Sequence, residues 1–207
     1  MSAPVRTRPA AVVRGWPELL LVAGGGAVLV LAALPVAPDR VTGPEAAAFG
    51  VLNGTTVLPF VLVWPVMQLG NALVIPAAAL AAAAVRRWRL AAELLVAGAG
   101  AYLLAKVVKG IVPRGRPDGL LADVVIRGAE AHGRGFLSGH AAVLTALAAV
   151  AWPWLGRRGR IAVSVLAAVV ALTRVYVGAH LPLDVVAGAG LGLAVAGAVR
   201  LLLGRPA

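Results

Sequence analysis

The feature that most constrains this chain is a succession of long apolar stretches, most of them closed by arginines. They run from Trp16 to Ala37, Thr56 to Val85, Leu90 to Val112, His140 to Leu155, Ile161 to Val177 and Leu183 to Leu203. A helix needs about 20 apolar residues to cross the hydrocarbon of a bilayer. Inside the bilayer only helices or closed barrels satisfy every backbone polar group. Six such stretches fill the 207 residues and leave no room for a separate soluble domain. The composition agrees, since 13% of residues are charged against roughly 25% in a soluble domain. The expected fold is an all-α integral membrane protein, six transmembrane helices in a bundle. Residues 1–15 form an N-terminal segment and residues 16–205 a single six-span domain.

Three stretches need a decision. Arg6, Arg8 and Arg14 precede the first one, as basic residues precede a secretory signal. The run is longer than the roughly 7–15 residues of a signal core, so a retained span is expected. Residues 56–85 carry Pro59, Pro65 and Pro76 and are interrupted by Gln68, Gly70 and Asn71. They are read as one kinked span with an interfacial lead-in, a re-entrant piece followed by a span being the alternative. Glu45–Asn53, of mixed polarity, is expected to be a short helix at the interface.

Six spans put both termini on one side. That side carries 11 basic residues, in the termini and in the turns Arg86–Arg89 and Arg157–Arg160, against 8 on the other. Positively charged loops stay in the cytoplasm, so both termini are expected there. The cell membrane is the expected location, and an Ala-, Gly-, Val- and Arg-rich chain fits a bacterial source. The net charge of +11, from 17 Arg and 2 Lys against 8 acids, with 5% aromatics, suits lipid headgroups and gives no nucleic-acid groove. The absence of cysteine excludes disulfides, thiolate catalysis and cysteine-held metals.

Ionisable groups in or beside spans are costly and usually functional. Here they gather in three segments that alternating spans bring to one face. The first is Lys109-Gly-Ile-Val-Pro-Arg-Gly-Arg116-Pro117, the second Ser138-Gly139-His140, and the third runs from Arg174 through His180 to Asp184. Lys109, Arg116 and Arg174 offer cations, and arginine can fork onto phosphate oxygens. Ser138, Gly139 and His140 stand at a helix start, which favours an anion. Asp184 follows His180 by four residues, one helical turn. There it can orient the imidazole as a nucleophile, while His140 is free to protonate a leaving oxygen.

Set in this order and spacing, K-x6-R-P, S-G-H and R-x5-H-x3-D resemble the motifs of the type 2 phosphatidic acid phosphatase (PAP2) superfamily. The resemblance covers roughly Trp16 to Leu203. It implies a metal-independent lipid phosphatase with no cofactor, in which His180 becomes a phosphohistidine, Asp184 supports it and His140 serves the leaving group. Lys109, Arg116, Ser138, Gly139 and Arg174 would hold the phosphate. Two positions depart from the family pattern: Leu137 stands where Pro is usual, and Thr173 where Ser is usual. Leu137 is expected to loosen the loop that presents Ser138, affecting rate rather than mechanism.

The expected function is removal of phosphate from a lipid phosphate or diphosphate at the outer face. A polyprenyl diphosphate such as undecaprenyl diphosphate comes first, then phosphatidylglycerol phosphate or phosphatidic acid. The alternatives are a lipid phosphotransferase using the same phosphohistidine and a non-catalytic phospholipid-binding protein. Asp118, Asp123, Arg127, Glu130, His132 and Arg134 are expected to form a solvated loop, and Lys106 to anchor headgroups. Gln68, Asn71 and Asn53 are expected to serve packing, as are the Gly98–Gly100 and Gly188–Gly192 stripes. The sequence carries no sign of an oligomeric state.

Overall fold

Apolar runs bounded by proline and arginine become helices. The computed structural model describes residues 12–13, 15–56, 58–128 and 131–206; Arg6, Arg8, Arg14 and Glu130 lie outside them. The described helices are α1 (Trp16–Ala33), α2 (Gly43–Asn53), α3 (Phe60–Gln68), α4 (Val74–Ala84), α5 (Trp88–Ile111), α6 (Pro117–Leu120), α7 (Gly139–Ala151), α8 (Arg157–Tyr176) and α9 (Pro182–Leu203). Proline occupies the first turn of α1, α2, α6 and α9, where its missing N–H costs no hydrogen bond. Four helices, α1, α5, α8 and α9, are long and apolar enough to cross a membrane. The fourth apolar stretch splits into the 13-residue α7 and a 3-10 turn at Trp152–Trp154.

The stretch 56–85 is not one continuous kinked span. It breaks at residues 69–73 into α3 and α4, of 9 and 11 residues. Asn71 Oδ1 accepts the N–H of Leu73 at 3.2 Å, a local bond that competes with the helical ladder. At the break Gly70 lies so close to His140 that a Cβ there would come within 2.8 Å of the histidine Cβ. The interruption lets the backbone press against a site residue.

α9 is the central helix, buried along most of its length, while α1, α5 and α8 keep most of their surface outward. It packs on α1, α7 and α5, and α7 is itself flanked by α5 and α8. The contacts are made by small residues: Ala97, Ala101, Ala142, Ala146, Ala187 and Ala196 are all within the core. Such residues let helices approach closely where lipid supplies no hydrophobic drive between them. Glycines of α9 alternate in purpose, Gly188 and Gly192 facing α7 and Gly190 facing α1. At one end Val12–Val13 pairs antiparallel with Arg205–Pro206. At the other, some 33 Å away for a 22-residue helix at about 1.5 Å per residue, α9 begins beside the ends of α5, α7 and α8.

α2 is a helix as expected, and one face of it is buried. Glu45, Phe49 and Asn53, spaced by four, are all buried. Phe49 packs on Leu181 and Val185, and Asn53 bonds Val125 through both its amide nitrogen (2.9 Å) and oxygen (2.8 Å) and also reaches the Tyr176 carbonyl at 3.0 Å.

Candidate active site

Four helix ends converge to build the site. α8 ends at Tyr176, and Gly178, at φ +79, turns the chain out of it; a residue with a Cβ is strained there and would also meet the Val125 carbonyl at 2.8 Å. The N–H groups of Ala179 and His180 both donate to the Arg174 carbonyl at 3.1 Å, so the α8 end fixes the segment that carries His180. α9 then starts, and Asp184 closes its first turn by accepting the Leu181 N–H at 2.9 Å.

His180 and Asp184 face one another, both buried. His180 Nδ1 stands 3.5 Å from Asp184 Oδ2, an ion-pair approach rather than a formed hydrogen bond; such contacts are often long in a resting site and tighten when substrate binds. With a proton on Nδ1 toward the carboxylate, the lone pair is on Nε2, which lies 3.4 Å from Arg116 Nη1. Burial pulls the His180 imidazole down to about 4, against the raising influence of Asp184, with Arg174 and Lys109 lowering it further. The ring is therefore neutral at physiological pH, as a nucleophile must be.

The cations surround it. Arg116 Nη1 donates to the Ala179 carbonyl at 2.7 Å and Nη2 to the His132 carbonyl at 3.1 Å. Lys109 Nζ donates to the carbonyls of Arg134 and Gly135, at 3.1 and 3.2 Å. Arg174, buried in the last turn of α8, has Nη1 2.8 Å from Met67 Sδ. Arg174, His180, Lys109 and Arg116 are all close enough to act electrostatically on His140. Ser138 caps α7 ahead of Gly139 and His140, and its N–H donates to the Asp184 carbonyl at 2.8 Å. The three segments singled out from the sequence thus meet in one cluster.

Several buried donors there have no protein partner: Ser138 Oγ, Arg116 Nε and Arg174 Nε. Unmade hydrogen bonds at buried groups are costly. A multiply charged oxyanion, forked by arginines and capped by a helix start, is the chemistry that satisfies them. A cavity of about 810 Å3, lined by Leu20, Thr145, Trp152, Arg160 and Leu193, includes none of these residues.

Sequence reasoning missed two members. Arg114, inside the first segment, is among the most buried side chains; its Nη1 donates to Asp184 Oδ1 at 3.0 Å and its Nη2 to Glu45 Oε2 at 2.5 Å. Glu45 reaches the site from α2. The readable signal was the four-residue spacing of Glu45, Phe49 and Asn53, a buried stripe disguised by its mixed polarity. Other expectations resolve individually. Lys106 is exposed and its Nζ lies 4.5 Å over the Tyr102 ring, taking no part in the cluster. Arg127 is not simply solvated: it bonds the carbonyls of Asn53 and Tyr176, at 2.8 and 2.6 Å, and stacks on the Tyr176 ring. Arg134 Nη1 straps the loop to the end of α5 through the Lys109 carbonyl at 3.0 Å. Leu137 lies in the bend just before Ser138, its side chain wholly buried in the core with Phe136. Thr173 spends its hydroxyl on the Val170 carbonyl at 2.6 Å.

The described fold is a helical bundle with a histidine–carboxylate pair set among fixed cations at a cluster of helix ends. The chain belongs to the PAP2 superfamily, whose profile matches residues 90–205. Among solved structures it is similar to Aquifex aeolicus LpxE, at 25% identity and a TM-score of 0.71, over 78% of this chain and 96% of that one. It also shares the fold of a transmembrane PAP2 type phosphatidylglycerolphosphate phosphatase from Bacillus subtilis, at 22% identity and a TM-score of 0.61, over 88% and 94%. No curated protein matches the chain in sequence.

Proposed function

We propose that the protein is a membrane lipid phosphatase that removes phosphate through a covalent phosphohistidine at His180. The observation that carries the reading is the approach of Arg116 Nη1 to His180 Nε2 at 3.4 Å, with Asp184 on the ring's other nitrogen and unpartnered buried donors around it. In the first step the Nε2 lone pair attacks phosphorus, a P–N bond forms, and the P–O bond to the lipid breaks. His140, protonated once the bound phosphate's negative charge offsets the cations around it, gives the proton that the departing oxygen takes up. In the second step His140 takes a proton from water, whose oxygen attacks phosphorus. The P–N bond breaks, inorganic phosphate leaves, and both histidines return to their starting state. Lys109, Arg116, Arg174, Ser138 and the Gly139 N–H hold the phosphate oxygens and stabilise the charge spread over them in flight. Asp184 holds the Nδ1 proton and offsets the positive charge the ring acquires. The balance is complete without a metal.

The site lies at helix ends rather than in an ectodomain, which suits a substrate whose tail remains in the bilayer. Polyprenyl diphosphates are the first substrates to test, followed by phosphatidylglycerol phosphate and phosphatidic acid. The six-span topology is part of the same proposal. α3 with α4, and α7 with its 3-10 turn, would join the four long helices, with the termini cytoplasmic and the catalytic residues on the outer side. The test is phosphate release by purified protein in detergent with EDTA, all three lipids side by side. Release that survives EDTA and is lost in His180→Ala is the expected result. Release that needs a divalent metal, or that persists in His180→Ala, refutes the mechanism.

A further inference from the structure

The charges behind His180 outnumber what the fold alone requires. Asp184 Oδ1 accepts from Arg114 Nη1 at 3.0 Å, and Arg114 Nη2 lies 2.5 Å from Glu45 Oε2. The other Glu45 oxygen accepts the N–H of Leu183, the residue before Asp184, at 3.0 Å. All of these side chains are at most 5% exposed, so the charges act on one another with little screening. One carboxylate suffices to neutralise a buried arginine, and Asp184 already supplies it. A second buried carboxylate carries a desolvation cost that simple pairing does not explain.

The arithmetic of charge does explain it. With His180 neutral, the cluster of His180, Asp184, Arg114 and Glu45 carries one net negative charge. When Nε2 attacks phosphorus while Nδ1 keeps its proton, the ring becomes cationic and the same cluster reaches zero. On the Nδ1 side of the ring the charge therefore balances the attacking state, while Arg116 lies by Nε2, a division of charge between the two sides that electrostatic preorganisation of the attack calls for. Without Glu45, Arg114 would draw on Asp184 alone and weaken its hold on the Nδ1 proton. Glu45 belongs to α2, outside the residues 90–205 that match the family profile, so this contribution comes from a part of the chain the family match does not cover.

We propose that Glu45 is a positioning residue for the reaction: by neutralising Arg114 it leaves Asp184 free to hold the Nδ1 proton of His180 and to balance the ring's charge during attack. The proposal rests on the phosphohistidine reading. It assigns α2 a task in the chemistry in addition to its packing on Leu181 and Val185.

The test uses the full chain in detergent with Glu45→Gln and Glu45→Asp. Glutamine keeps an acceptor for the Leu183 N–H but loses both the charge and the acceptor that faces Arg114, whereas aspartate keeps the charge on a shorter arm. Glu45→Gln is expected to lower kcat about 10- to 100-fold, the loss typical of groups that orient a reacting group's partner, with KM unchanged. Glu45→Asp is expected to retain more activity than Glu45→Gln. A second readout needs no turnover: ring nitrogen NMR of the three histidines in the resting protein. Wild type should show His180 protonated at Nδ1, and Glu45→Gln should raise the share protonated at Nε2. Equal losses in the two variants, or wild-type kcat and ring shifts in Glu45→Gln, overturn the proposal. A wild-type protein that releases no phosphate, but whose His180 shifts respond to Glu45→Gln, refutes the phosphatase reading and leaves the buried linkage standing.

Discussion

The spacing between α7 and α9 should set the rate, and Gly192→Ala measures it. A Cβ at position 192 would lie 2.5 Å from the Ala142 carbonyl oxygen, 2.8 Å from Thr145 Cβ and 2.9 Å from Ala146 N. The obstacles are mostly backbone, and ordinary contact begins near 3.4 Å. The two helices must therefore part by about 0.9 Å, at an overpacking cost of about 1–3 kcal/mol. α7 carries Ser138 and His140 at its start, α9 carries Asp184, and the Ser138 N–H bonds the Asp184 carbonyl. The shift thus reaches both halves of the site. A displacement of about 1 Å costs on the order of 100-fold in rate, so kcat should fall by about that factor. The assay is phosphate release per folded molecule, with a thermal melt to confirm folding. Gly24→Ala is the control, since nothing lies within 4 Å of a Cβ there, and it should keep full activity. A folded Gly192→Ala protein with activity close to wild type would refute the idea that α7–α9 spacing holds the catalytic groups in register.

Two further predictions concern protonation and the opposite end of the bundle. His180 is displaced from the ordinary 6.5 to about 4, so its ring NMR signals should remain those of a neutral imidazole down to pH 5; a midpoint between 6 and 7 would mean that the ring is solvated. The sign for stability follows: between about 4 and 6.5 the unfolded chain binds a proton at this position that the folded chain refuses. The contribution of His180 to stability is therefore complete above pH 6.5 and is lost as pH falls toward 4, which a series of melts would show. Glu93, buried, accepts from Arg89 Nε at 2.9 Å and Trp154 Nε1 at 3.0 Å, and Arg89 bridges on to the Leu203 carbonyl. Glu93→Ala should cost about 2 kcal/mol in thermal stability and leave turnover per folded molecule unchanged; a loss of turnover without a loss of stability would contradict this.

The helices were legible where one kind of residue decides them. The apolar runs beginning near Trp16, Leu90, Ile161 and Leu183 become α1, α5, α8 and α9 with ends shifted by only a few residues, because hydropathy alone fixes a helix of that length in lipid. The convergence of Lys109, Ser138 and His180 was legible too, since alternating helices carry them to one face. The break at residues 69–73 was legible only as an alternative, because Gly70 reveals its purpose only against His140, 70 positions away. Arg114 and Glu45 escaped for the same reason. A buried ion pair joins residues 69 apart in sequence, and neither periodicity nor motif spacing records such a partner. Leu137 also shows the limit, since its burial among core residues is a property of the packed bundle and not of its neighbours in sequence.

The central claim is the covalent phosphohistidine, and trapping it tests that claim most directly. The protein would be mixed with a phosphate ester whose leaving group needs no proton, in the His140→Ala background, where the second step lacks its base. The reaction would be stopped in alkali, in which phosphohistidine survives, and the peptides mapped. Phosphate on the peptide carrying His180, absent when His180→Ala is added, is the predicted result. Product formed with no labelled histidine, or label on another residue, would contradict the account.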